Sequence, residues 1–259
     1  MTSDDTKIIM NAVFNHDVQC IQKLVALPHM RLVFKKVPIL EIAANRGNVE
    51  ILKLIAPLVS ETQRLKALSV ASEYNHPTCV EYLLSGFTPE HQLKNKAAAT
   101  NALSLAAQND CVECLRLLLP FSDPTFSDSQ ALCFAAYYGS AECLSFLIPV
   151  SSHFNEALEN AASQGNNKCV ELLIPVSDVS AKKHRALWLA SKYGHVACVD
   201  LLAPLGGGED ILQSLQREYP TEPNQWQHLQ EVVDQLQRKR IAEEIESLPN
   251  NPVAHSKRI

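Results

Sequence analysis

The sequence predicts an all-α solenoid of about seven stacked helix pairs closed by C-terminal helices. Three observations predict it. The pattern A-L-x-x-A-A-x-x-G-x-x-x-C-V-x-L-L-I-P recurs seven times, a helix-ending residue stands at the glycine column of every copy, and proline follows the second apolar run in five of them. The first alanine of the A-A pair falls at Ala12, Ala43, Ala71, Ala106, Ala135, Ala161 and Ala190, spaced 31, 28, 35, 29, 26 and 29 residues apart. Periods in this range belong to stacked supersecondary units, each too small to bury its own apolar face.

The columns justify the elements in chain order. The glycine column reads His16, Gly47, Asn75, Asp110, Gly139, Gly165 and Gly194. These residue types best tolerate the left-handed backbone that stops a helix. Counting onward from the cysteine column, the +1 and +4 positions are apolar (Leu144 and Leu147, Val170 and Leu173, Val199 and Leu202), whereas +2 is polar (Ser145, Glu171, Asp200). That spacing describes a second, amphipathic helix with one buried face. Six positions after the cysteine column stand Pro57, Pro120, Pro149, Pro175 and Pro204, which end it. Each unit is thus a short inner helix, a left-handed turn, an outer helix and a loop. The small alanine pair lets inner helices approach one another, and each large aliphatic buried by the outer helix contributes about 1.5–3 kcal/mol.

The ends depart from the pattern. Lys23 replaces the usual Leu, Tyr or Phe in the first copy, as a terminal unit with one wetted side requires. After Pro204 come Gly206, Gly207 and Gly208, then apolar residues at helical spacing that predict helices over roughly 209–218 and 224–247. The expected organisation is a repeat array over 1–205, capping helices over 206–248 and a flexible tail over 249–259. The long spacing between Ala71 and Ala106 holds a polar insertion, Glu90 to Lys96, expected as an exposed loop or helical turn.

Composition removes several function classes. Twenty-eight acidic residues outnumber 23 scattered Lys and Arg for a net charge of −5, so no nucleic-acid footprint is present. No apolar run approaches the roughly 18 residues of a membrane span. The N-terminal Met1–Thr6 is acidic and lacks a signal-peptide start, which predicts folding in a cytosol. Six of eight cysteines (Cys20, Cys79, Cys114, Cys143, Cys169 and Cys198) share one column and read as small core residues. Their helices stack about 10 Å apart, beyond disulfide reach. Cys111-x-x-Cys114 has no second pair at zinc spacing, and the glycine triplet lacks the Lys-Ser/Thr of a phosphate loop. The chain is expected to need neither metal nor cofactor, and no local motif sets a nucleophile beside a base.

Ala131-Leu132-x-x-Ala135-Ala136-x-x-Gly139 with Cys143-Leu144-x-Phe146-Leu147 resembles the ankyrin repeat family over about Ile8 to Leu205. The T-P-L-H start of that family is absent, with Cys133, Glu159 or Trp188 at the histidine position, which implies shortened or missing β-hairpin fingers. Tetratricopeptide or HEAT-like pairs are the structural alternative, disfavoured by their longer periods.

The resemblance implies a monomeric scaffold that binds a protein partner through its concave face and loop tips. In ankyrin-like units the two residues between the alanine pair and the turn project toward that face. The candidates here are Arg46, Tyr74, Asn109, Tyr137, Tyr138, Gln164, Lys192 and Tyr193, with Trp188 on the same helix as Tyr193. Tyrosine offers large contact area at low rotamer cost, which suits it to an interface. Glu243, Glu244 and Glu246 resemble the C-terminal signal of type IV secreted effectors of intracellular bacteria. That resemblance implies, as an alternative to a cytoplasmic role, export into a host cytosol to capture a host protein. A further alternative is an enzyme whose site lies in the C-terminal region.

Overall fold

A computed structural model describes residues 3–87, 89–205, 210–219 and 226–247. The predicted glycine triplet and the tail over 249–259 lie outside the described residues. Seventeen α-helices and no strand are present among the described residues, in agreement with the all-α expectation and with the absence of hairpin fingers.

The helices follow the repeat columns. Inner and outer helices alternate as α1 (Ser3–Phe14) and α2 (Val18–Val25), then, after an additional α3 (Met30–Lys36), as α4 (Ile39–Asn45) and α5 (Val49–Ile55). Next come α6 (Glu61–Glu73) and α7 (Pro77–Ser85), α8 (Pro89–Gln108) and α9 (Val112–Leu118), and α10 (Phe126–Tyr138) and α11 (Ala141–Leu147). The last two pairs are α12 (Phe154–Gln164) and α13 (Asn167–Leu173), and α14 (Ala181–Lys192) and α15 (Val196–Leu202). They are followed by α16 (Asp210–Glu218) and α17 (Gln227–Ser247), close to the expected capping helices.

All seven residues of the glycine column have positive φ, from 53° at Asp110 to 80° at Gly139. The prolines sit one step later than a simple helix stop. Each of Pro57, Pro120, Pro149 and Pro175 lies in a single 3₁₀ turn that tightens the end of the outer helix, where a missing N–H costs nothing.

Two expectations need correction. The polar insertion is not a loop, because α8 runs unbroken through it for 20 residues and begins at Pro89, which suits a first helical turn. The segment between the first two repeats forms α3, which the repeat pattern did not indicate. Its Met30, Val33 and Phe34 are buried at helical spacing.

The chain divides into two compact units. The first holds the residues up to Ala135 together with Ser140–Ser152, and the second holds Ala136–Gly139 and the chain from His153 onward. In the first unit α1, α4, α6 and α8 pack as neighbours in one layer, while α2, α5, α7, α9 and α11 form the other. In the second unit α12 packs on α14 and α13 on α15, with α16 on α14 and α17 on α15. The alanine pairs of the inner helices are fully buried. Where serine takes the second place, at Ser72 and Ser191, its hydroxyl donates to the carbonyl four residues back, so the buried group stays satisfied.

Five cysteines of the shared column are completely buried. Cys20, in the terminal repeat, is half-buried. None of the eight is in a disulfide. In the first unit the Cys114 and Cys143 thiols face the carbonyls of Ala71 and Ala106, the leading alanines of the preceding repeats, at 4.0 and 3.8 Å. Burial pushes the Cys79 and Cys198 thiols up to about 11 and Cys114 up to about 12, and it raises Cys143 as well. These are inert core thiols at neutral pH.

Candidate functional site

The residue that follows the turn decides how neighbouring repeats lock, and sequence reasoning missed this column: Asp17, Asn48, His76, Cys111, Ser140, Asn166 and His195. An inner helix ends with carbonyls that have no intrahelical partner. The next repeat supplies the donor. His76 Nε2 donates to the Asn45 carbonyl at 2.8 Å, Ser140 Oγ to Gln108 at 3.1 Å and the Cys111 thiol to Glu73 at 3.8 Å. In the second unit Asn166 Nδ2 donates to Ala136 and Tyr137 at 2.9 and 2.7 Å, and His195 Nε2 donates to Ser163 at 3.0 Å. A carbonyl can only accept, so each bonded histidine carries its proton on Nε2. The sequence signal was available, since seven small or planar side chains, six of them polar, occupy one column.

This clasp sets the choice of turn residue. A Cβ on Gly47 would strike the His76 ring, one on Gly139 would lie 2.9 Å from Asn166 Oδ1, and one on Gly165 would lie 2.6 Å from His195 Nδ1. Except at the first turn, where Asn48 meets His16 at 2.8 Å, the large planar clasps therefore stand against glycine. Small clasps, Cys111 and Ser140, stand against Asn75 and Asp110, which keep their side chains. The Asp110 carboxylate then accepts from the Cys143 backbone N–H at 3.1 Å.

Past the clasps, the inner-helix ends present the candidate residues. In six consecutive repeats the residue before the turn is exposed: Arg46, Tyr74, Asn109, Tyr138, Gln164 and Tyr193. Tyr74, Tyr138 and Tyr193 are each 53% exposed and Tyr137 41%, so packing does not account for them. In the second unit the Tyr137 and Tyr138 rings meet edge to face at 5.1 Å. Lys192, half-buried, holds its ammonium 5.2 Å from the Tyr193 ring centre. In the first unit Arg46 lies 4.8 Å over the ring of Phe14, an exposed aromatic that belongs to the same surface and was not anticipated.

Trp188 does not extend the exposed patch. Tyr219, the residue that follows α16, stacks on it at 4.6 Å, and Arg185 and Lys192 lie 5.5 and 4.9 Å from its ring centre. The end of the capping segment, invisible to the repeat pattern, thus covers one face of the ring. Its Nε1 is buried without a hydrogen-bond partner among the described residues.

Glu243 and Glu244 are exposed on α17, with Glu244 3.3 Å from Arg240. The side chain of Glu246 lies outside the described residues. No cluster of His, Cys, Asp and Glu able to hold a metal is found among the described residues, and no described helix is long and apolar enough to cross a membrane.

Repeated helix pairs with left-handed turns, clasped one to the next and exposing aromatic residues at their inner-helix ends, define a helical-repeat solenoid. A family model described as ankyrin repeats (3 copies) matches residues 9–93 and 132–214, more than half of the chain. The chain belongs to the ankyrin repeat family. Among solved structures, the crystal structure of the human ASB11 ankyrin repeat domain is similar with a TM-score of 0.57 at 19% identity. The likeness covers 73% of this chain and 96% of that one, and it shows the fold. A comparison with curated protein sequences finds no match. Ankyrin repeats are protein–protein interaction modules, and the fold typically serves as a non-enzymatic scaffold.

Proposed function

We propose that this chain is a binding scaffold for a protein partner, held on the inner-helix ends of its repeats. Tyr74 with Arg46 and Asn109 forms the contact in the first unit, and Tyr137, Tyr138, Gln164, Lys192 and Tyr193 form it in the second. The observation that carries the reading is the sixfold repetition of an exposed side chain just before the turn, occupied by tyrosine in three repeats. Aromatic rings left in solvent on a fold that could bury them elsewhere are suited to a partner's surface. The rigid helix ends beneath them keep the ordering cost of association small.

The double variant Tyr138→Ala with Tyr193→Ala tests it. Its melting temperature should stay within a few degrees of the parent. Affinity for a partner recovered with the intact chain should fall more than about tenfold, or about 1.4 kcal/mol. Undiminished affinity would move the site elsewhere, and an unfolded variant would place these rings in the core.

A further inference from the structure

Between Val18 and Leu40 the chain carries Lys23, Arg31, Lys35 and Lys36 and neither Asp nor Glu, although the whole molecule has a net charge of −5. Three of these cations lie on α3, the helix that joins the first repeat to the second. Its residues sort by face. Met30, Val33 and Phe34 are buried, whereas Arg31, Leu32, Lys35 and Lys36 are all exposed. Their spacing sets these four side by side on two adjacent rows, a leucine among three cations. The helix beneath them is fixed, since α3 packs on α1, α2 and the turn Ala56–Leu58, and Gln63 Nε2 donates to the Phe34 carbonyl at 3.4 Å.

The stability of α3 does not account for this face. Lys35 and Lys36 suit the last turn of a helix, but Arg31 stands in the first, four residues from Lys35, and the two repel each other. A second run without acids, Val179 to Val199, shows cations used internally: Lys182 and Arg185 lie 3.0 and 3.2 Å from the buried Glu159, and Lys192 lies 4.9 Å from the Trp188 ring centre. On α3 the cations face solvent instead.

We infer that the solvent face of α3 docks an acidic segment of a protein partner, with carboxylates on Arg31, Lys35 and Lys36 and an apolar side chain between them on Leu32. The inference goes beyond the tyrosine contacts and stands on different residues. Charge complementarity names the occupant: the Arg31 guanidinium matches a carboxylate with two parallel N–H donors, and the lysines add point charges beside it. A membrane fits less well. It would take the apolar face of an amphipathic helix, and α3 buries that face, Met30, Val33 and Phe34, in the core of the first unit. Three cations in an acidic molecule attract at contact range, within about 10 Å, and not from afar.

The test selects a random peptide library on the intact chain and remeasures the recovered peptides on the triple variant Arg31→Gln/Lys35→Gln/Lys36→Gln. The expected peptides carry several Asp or Glu around one apolar residue. Their affinity falls at least about tenfold on the triple variant, and equally when their own acids become Asn and Gln. It also weakens on Leu32→Ala and with added salt, and it is unchanged on the Tyr138→Ala/Tyr193→Ala chain. The triple variant should melt within a few degrees of the parent, because the replaced side chains are exposed. If it melts lower, Arg31→Gln, which removes a repulsion, decides, and unchanged peptide affinity on that chain overturns the proposal. A library without acidic peptides, or acidic peptides that bind the triple variant undiminished, also overturns it. So does an equal loss on Lys53→Gln/Arg116→Gln, two exposed cations elsewhere in the first unit, which would make the attraction one of overall charge. Vesicles of phosphatidylcholine with phosphatidylserine should leave the chain in solution. Sedimentation with them that the triple variant abolishes, with no acidic peptide recovered, assigns the face to a membrane and overturns the proposal. Peptides lost on the tyrosine variant but kept on the triple variant leave the tyrosine contacts standing alone.

Discussion

At the scale of single residues, glycine at the turn carries two separable duties. At Gly194 the backbone angle, φ 72°, is the constraint, because no described neighbour stands where a Cβ would go. At Gly139 the angle is 80° and the clasp presses on the same place, with Asn166 Oδ1 at 2.9 Å. Gly194→Ala should therefore cost about 1 kcal/mol, the left-handed penalty alone. Gly139→Val forces a β-branched residue into that region and displaces a side chain that makes two hydrogen bonds, each of about 1 kcal/mol. Its expected cost is about 3 kcal/mol, read from urea unfolding of the two variants beside the parent. Equal losses would mean that the clasp contributes nothing at that turn.

Among elements, the outer helices are mostly seven residues long, well below the roughly 12 needed for a helix to persist alone in water. They exist because neighbouring repeats cover their apolar faces. The same reasoning explains α3, whose sequence Met30-Arg-Leu-Val-Phe-Lys-Lys36 is too short to stand by itself and offers Phe34 and Val33 to the core of the first unit. Phe34 is fully buried, so Phe34→Ala should destabilise by about 3–5 kcal/mol. Leu32 on the same helix is 64% exposed, and Leu32→Ala should change stability by less than about 0.5 kcal/mol. Comparable losses from the two would show that α3 is not docked as described. The long α8 follows from its residues as well, since Leu93 to Ala99 contain no glycine or proline to interrupt a helix.

For the molecule as a whole, the buried thiol column links stability to pH. Desolvation lifts Cys79 and Cys198 from an ordinary value of 9.0 to about 11, and Cys114 to about 12. In the unfolded chain these groups ionise near 9, so burial of the neutral thiol contributes fully below pH 9 and is lost as pH rises toward 11 to 12. Melting temperature should accordingly fall between pH 9 and 11, with a gentler slope in Cys79→Ala with Cys198→Ala. An unchanged slope would assign the alkaline transition to other groups. The net charge of −5, with 23 Lys and Arg scattered among 28 Asp and Glu, gives no broad positive field to steer an acidic partner.

What the sequence determined by itself was everything that recurs. The Ala12-to-Ala190 spacing, the left-handed residues from His16 to Gly194 and the apolar face of each outer helix are local consequences of backbone sterics and burial, and each copy restates them. The exposed tyrosines were legible for the same reason, being what remains once the buried positions of the inner helix are assigned. Only the tertiary structure decided what depends on a neighbour far along the chain. His76 reaches Asn45 across 31 residues, His195 reaches Ser163 across 32, and Tyr219, just past α16 and outside the repeat, covers Trp188. The clasp column recurs in the sequence, but its residues do not name the carbonyl each one reaches, because that partner is set by how successive repeats stack.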